Sequence, residues 1–348
     1  MQPRTPPDTV AESFSQLLFG ALTFRAYAAA VRLGIPDAVG DTSHRADELA
    51  AVLGADEHRL RRLLRALVAL GVLRHTDDGR FALTAAGAGL RADDPTGTRG
   101  LVAFFGHPLM WRTFGALERS VREGTPAFTA VTGRGFFEYF AEDPSFAQSY
   151  HEGLHWGTEM TAPLIGMSRD WSDSRRIHDI GGGDGALLTA LLAAHPYAHG
   201  IVQDSAEALE GLPANIRRHG VDGRCSAVPG DFLTEVPAGG DTYLLKNVLH
   251  EWGDDDCVRI LGNCRTAMAE GARVLIVATL LPEPGPADGD QEAFTYAVLS
   301  DLLLMSASHG ERTLAEYERL CAAAGLRITR VSPVPHLPND NVIEAVAA

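Results

Sequence analysis

The chain has 348 residues, 45% of them hydrophobic and 22% charged, which is enough to bury a full core and leads us to expect two domains. Its formal net charge of −15 opposes broad contact with nucleic-acid phosphates, because displacing their counterions needs a positive field. The N-terminal stretch has no basic-then-apolar leader pattern and no apolar run is long enough to span a bilayer, so a cytoplasmic protein with no membrane partner is expected.

From residue 14 to 33 apolar side chains recur at helical spacing, and a second helix is predicted over 46–53. Asp56-Glu57-His58 opens a third, with Leu60, Leu63, Leu64, Leu67 and Leu70 on one face and Gly71 as its stop. Residues 72–75 and 80–83, joined by Asp77-Asp78-Gly79, read as a hairpin, so this part of the chain has a winged-helix pattern. Arg59, Arg61, Arg62 and Arg65 make the third helix locally basic and leave DNA binding as one reading. The acidity of the whole chain favours the other, a dimerisation module with a solvated basic face.

Residues 101–167 are helical in pattern and rich in rings, among them Phe104, Trp111, Phe140, Phe146, Tyr150 and Trp156. Such a stretch serves either as core or as a pocket for a flat aromatic ligand. It contains a literal H-E-x-x-H, His151 to His155, but the central residue is Gly153 and no third ligand follows at zinc spacing, so no metal is expected. The four cysteines, Cys225, Cys257, Cys264 and Cys321, show no C-x-x-C spacing and read as reduced, packed thiols.

From Arg176 onward strands are predicted at 177–180, 201–204, 227–231, 242–248, 274–279, 326–331 and 342–346, with helices fitting between most of them. That alternation is a doubly wound α/β sheet, whose ligand belongs outside the carboxyl ends of its strands. After the first strand comes Asp179-Ile180-Gly181-Gly182-Gly183-Asp184-Gly185. Crowded glycines let the backbone turn without Cβ clashes and bring main-chain N–H groups against a ligand. Because they do not have dinucleotide spacing, the loop fits S-adenosylmethionine better, with Asp179, Gly181 and Gly183 as candidate contacts. Asp204, ending the second strand, is placed to accept hydrogen bonds from ribose hydroxyls, or else to cap a helix. Gly230-Asp231-Phe232 ends the third strand, where Asp231 suits an adenine amino group and Phe232 an adenine face.

The fourth strand leads into Lys246-Asn247-Val248-Leu249-His250-Glu251-Trp252, which includes the only lysine in the chain. The glycine loop, the later Gly-Asp-Phe, this segment and the acid-rich helix start after it resemble the small-molecule O-methyltransferases of the caffeate and hydroxyaromatic type. Bacterial members of that family act on polyketides and antibiotics. The similarity covers nearly the whole chain. It implies a Rossmann-like methyltransferase sheet preceded by an α-helical winged-helix dimerisation domain, with boundaries at 1–105, 106–170 for a helical connector, and 171–348. It also implies a homodimer that methylates a hydroxyl of a small aromatic substrate.

Carried over from the resemblance, His250 is the general base, Glu311 is one of two carboxylates flanking it, and Glu251 is an acid that contacts substrate. Trp252 stacks on adenine with Lys246 alongside, and Phe140, Phe146, Tyr150, Leu154, Asp301 and Met305 border the substrate. The family's second flanking carboxylate falls at the end of the fifth strand, where this chain has Thr279, so the charge support of the imidazole is expected to be weaker. Two alternatives accompany this reading. One is a relative that uses the cofactor for hydroxylation, decarboxylation or cyclisation; the other is a ligand-sensing winged-helix regulator on DNA.

Overall fold

The computed structural model describes residues 10–94, 97–282, 291–337 and 339–348. Two compact units divide the chain: the described residues up to Gly115 with Phe137–Trp156, and Ala116–Phe136 with Gly157–Ala348.

The first unit begins with α1 (Val10–Leu33), α2 (Ile35–Val39), β1 (Ser43–His44), α3 (Ala46–Leu53), α4 (Glu57–Ala69), β2 (Leu73–His75), β3 (Phe81–Leu83) and α5 (Ala85–Ala88). Asp56 caps α4 by accepting from Arg59 N at 2.8 Å. Leu60, Leu64 and Leu67 are buried, while Leu63 and Leu70 are half-buried at the edges of that apolar face. The expected hairpin forms as β2 against β3, and β1 adds a third antiparallel strand on the other side of β3. Two residues of strand carry no readable alternation, which is why β1 had no signal in the sequence. Arg59, Arg61, Arg62 and Arg65 are exposed. Further on lie α6 (Thr98–Phe105) and α7 (Pro108–Phe114); α8 (Leu117–Glu123) and α9 (Ala127–Thr132) belong to the second unit, and α10 (Pro144–Met167) follows.

The remaining elements are β4 (Arg176–Ile180), α11 (Ala186–Ala194), β5 (His199–Asp204), α12 (Leu212–His219), β6 (Cys225–Pro229), β7 (Thr242–Lys246), α13 (Asp254–Ala267), β8 (Arg273–Leu281), α14 (Gln291–Ala307), β9 (Arg312–Thr313), α15 (Leu314–Ala323), β10 (Leu326–Pro333) and β11 (Asp340–Ala347). The sheet runs β6-β5-β4-β7-β8-β11-β10, with short β9 pairing beside β8. Strands β4 to β8 are parallel, and the central pair β7 and β8 is buried almost throughout, whereas β6 at the edge is partly exposed. One face packs Tyr243, Leu245, Val274, Ile276 and Tyr317; the other packs Ile177, Leu188, Val202, Leu244, Leu275 and Val277. Each fully buried aliphatic side chain there contributes about 1.5–3 kcal/mol relative to exposure.

The last strand runs antiparallel to both its neighbours. β11 is antiparallel to β8, with Asp340 opposite Thr279, and this brings the first residue of β11 to the edge where the parallel strands end. Lys246 ends β7, and Asn247 turns the chain at φ 56, a conformation asparagine tolerates better than most residues. Residues 249–251 then form a single 3-10 turn, so His250 sits on a turn beyond the strand.

Candidate functional site

The glycine loop is set by sterics and by two strand ends. Gly181, Gly183 and Gly185 adopt φ of 69, 58 and 73. A Cβ on Gly182 would fall 2.6 Å from the Asp179 carboxylate. Gly181 N donates to Gln203 O at 2.8 Å and Gly183 N to Asp204 Oδ2 at 2.9 Å, so the carboxylate ending β5 is bonded to the loop. Asp204 Oδ1 also accepts from Ser205 N at 2.7 Å. Gly230 N donates to Asp204 O at 3.1 Å, tying the end of β6 to the end of β5. Gly230 and Asp231 lie just past β6 rather than on it; Asp231 is exposed and accepts from Leu233 N and Thr234 Oγ1.

Asp179 is buried with neither carboxylate oxygen hydrogen-bonded, and burial pushes its pKa up to about 7. Lys246 Nζ donates to Thr158 Oγ1 at 3.0 Å. Burial lowers the lysine pKa, opposed by the charges of Asp340, Asp179 and Asp184. The Phe232 and Trp252 rings meet edge to face with centroids 5.8 Å apart. An orphaned buried carboxylate, a loop closed to a Cβ at Gly181, Gly182 and Gly185, and a ring pair at the same strand edge fit a cationic amino-acid nucleoside such as S-adenosylmethionine.

His250 is 7% exposed, and its Nδ1 lies 3.3 Å from each carboxylate oxygen of Glu311. Its Nε2 is 3.7 Å from Glu251 Oε1. Burial alone would lower the imidazole pKa, but the hydrogen bond and charge of Glu311, with Glu251, raise it overall. The Thr279 hydroxyl donates to Asp340 Oδ1 at 2.6 Å, across the β8–β11 pair. The second carboxylate near the imidazole is Glu251.

Sequence reasoning missed Arg312. Its buried guanidinium donates to Leu249 O and Trp252 O at 2.7 Å each and to Asp254 Oδ1 at 2.9 Å, clamping both sides of His250-Glu251. Its place directly after Glu311 was the available signal.

Asp301 and Met305 stand on α14, Met305 half-buried. Asp301 Oδ1 accepts from Glu311 N at 2.9 Å. In the first unit Phe146 is fully buried, with its ring centroid 6.0 Å from that of Phe140 and 5.3 Å from that of Phe104; the Tyr150 centroid is 5.2 Å from that of Phe140. Leu154 is exposed. The four cysteines are free, and burial pushes the Cys264 and Cys321 thiols up to about 12. Among the described residues no group of three side chains has metal-binding geometry, and no helix is long and apolar enough to cross a membrane.

Residues 114–327 match the O-methyltransferase domain model, and residues 15–92 match the O-methyltransferase dimerisation domain. The chain belongs to the O-methyltransferase family. The O-demethylpuromycin-O-methyltransferase of Streptomyces alboniger is 37% identical over 96% of this chain and 88% of its own length. The solved structure of the mitomycin 7-O-methyltransferase MmcR superposes with a TM-score of 0.86 at 33% identity, covering 97% of this chain and 98% of that one. The O-methyltransferase NcsB1 from neocarzinostatin biosynthesis, solved with S-adenosyl-L-homocysteine and 1,4-dihydroxy-2-naphthoic acid, gives 0.77 at 31% identity, covering 94% and 96%. This O-methyltransferase is an S-adenosylmethionine-dependent enzyme.

Proposed function

We propose that this O-methyltransferase methylates a phenolic hydroxyl of an aromatic secondary metabolite, with His250 as the general base. The observation that carries the reading is the buried His250–Glu311 pair just beyond the carboxyl end of β7. When bound, S-adenosylmethionine supplies a methyl group made electrophilic by its sulfonium. A phenol with a pKa near 10 is mostly protonated at neutral pH, so the chain must remove a proton as the oxygen attacks. Glu311, accepting from Nδ1–H, selects the tautomer whose Nε2 carries the lone pair and then stabilises the imidazolium that forms. Glu251, 3.7 Å from that nitrogen, supports the same charge and is placed to accept from a substrate donor.

In this reading Asp179, Gly181, Gly183, Asp204, Gly230, Asp231, Phe232, Lys246 and Trp252 hold the cofactor. Phe140, Phe146, Tyr150, Leu154 and Met305 contact substrate on the strength of the family resemblance. The aromatic class is supported by the relatives' own names and by the naphthoic-acid ligand of NcsB1. We assign 1–105 to dimerisation, 106–170 to a connector and 171–348 to the methyltransferase domain. The enzyme works as a homodimer, supported by the dimerisation-domain match and by exposed Leu17, Leu18, Phe19 and Leu22 on α1. It acts in the cytoplasm, on a small molecule rather than nucleic acid.

The test is to incubate the enzyme with S-adenosylmethionine and a panel of hydroxylated aromatic polyketides and phenolic acids, following S-adenosylhomocysteine and product mass together. A product one methyl group heavier, formed in step with S-adenosylhomocysteine, is the expected result. A substrate altered without S-adenosylhomocysteine contradicts the proposal.

A further inference from the structure

The His250 and Glu311 side chains meet across 61 residues of chain, so their hydrogen bond depends on what fixes each backbone. The histidine is fixed from the 308–312 segment. Gly310 N donates to His250 O at 3.1 Å, and Arg312 holds the carbonyls of Leu249 and Trp252 on either side. The glutamate is fixed from α14, where Asp301 Oδ1 accepts from Glu311 N at 2.9 Å.

Gly310 makes that second contact possible. It adopts φ +94, and a Cβ there would lie 2.6 Å from the same Oδ1, so any larger residue would push the carboxylate off the N–H that follows. Asp301 is half-buried, and its Oδ1 accepts from Glu311 N. The resemblance places Asp301 among the residues bordering substrate, and its Oδ1 also binds the main chain that carries Glu311.

We infer that Asp301 is a positioning residue for the base: reaching from α14, its carboxylate fixes the Glu311 main chain and through it the Glu311–His250 hydrogen bond. The inference rests on the proposed role of His250 as base. A backbone N–H held at 2.9 Å removes freedom from the segment at the point where its side chain must meet the imidazole. The charged and titratable groups around the pair are Glu251 and Lys246 beside His250, Tyr296 of α14, Tyr317 of α15 and Arg312 near Glu311, and Glu316 of α15 near Asp301. Asp301 acts by geometry among them, so a neutral oxygen of the same reach serves equally well.

The test follows the His250 ring titration by NMR, with the signal assigned by its loss in His250→Gln, alongside kcat and the KM for S-adenosylmethionine. Asp301→Ala is expected to move the His250 pKa down toward the ordinary histidine value and to lower kcat by about tenfold to a hundredfold, leaving that KM within about twofold. Asp301→Asn keeps the acceptor and is expected to keep the native titration, with kcat within about threefold of native. A native titration in Asp301→Ala overturns the inference. So does an Asn variant displaced as far as the Ala variant, because charge rather than position would then be acting. If Asp301→Ala does not fold, the Asn variant decides alone: a native titration supports positioning and a displaced one overturns it. Full turnover in His250→Ala would remove the histidine from the mechanism, while the NMR titration would still judge Asp301.

Discussion

Asp179 is poorly satisfied by its surroundings. Its carboxylate is buried beside a lysine, has no hydrogen-bond partner, and has a pKa raised by burial to about 7. A carboxyl group held above its unfolded value adds stability at pH below the unfolded pKa of 3.8, and that contribution is lost as pH rises through about 7. The cofactor-free enzyme should therefore lose this contribution toward neutral pH. A cationic ligand favours the ionised form, so the rise in melting temperature produced by S-adenosylmethionine should grow as pH passes through about 7. Asp179→Asn should flatten that dependence; a ligand-induced shift independent of pH in the native enzyme would contradict it. The turn made by Gly181, Gly183 and Gly185 was legible in the sequence, because crowded glycines allow the positive φ that such a turn needs. The Thr279–Asp340 pair was not, since it depends on the register between strands 61 residues apart. Nothing in local residue types gives that register.

At the scale of elements, the His250 turn owes its shape to a neighbour distant in sequence. Leu249–Glu251 is a single 3-10 turn, too short to hold itself, and the Arg312 guanidinium supplies the acceptors Leu249 O and Trp252 O with charge-assisted donors. Hydrogen bonds to charged groups contribute about 1.5–3 kcal/mol each, so Arg312→Leu should lower the unfolding free energy by about 3 kcal/mol or more. Chemical denaturation measures this, and a change below about 0.5 kcal/mol, the range of an ordinary surface substitution, would contradict the clamp. Arg312→Lys keeps the charge without the planar fork and should recover only part of the loss. The central parallel strands were readable because burial on both faces leaves them largely apolar, as in Arg273–Leu281. Two-residue β1 and β9 carry no periodicity, and the reversed direction of β11 depends on its hairpin with β10, so neither was readable from residue types.

For the whole molecule, the exposed apolar side chains at the start of α1 are the feature a lone protomer accommodates least well. Leu17, Leu18, Phe19 and Leu22 all stand in solvent within the stretch that matches the dimerisation domain. Light scattering at micromolar concentration should give the mass of a dimer, and Phe19→Glu with Leu22→Glu should shift it toward the monomer. A native monomer would contradict the assembly. The net charge of −15 opposes broad contact with nucleic-acid phosphates, although the four arginines on α4 are exposed.

The central claim is that the imidazole of His250 removes the acceptor proton while the rest of the chain holds the reactants. Single-turnover methyl transfer in His250→Ala, measured together with S-adenosylmethionine affinity by calorimetry, tests it most directly. The account predicts a rate reduced by about 10²–10⁴-fold with cofactor affinity within about threefold of native. A native single-turnover rate in that variant would contradict it.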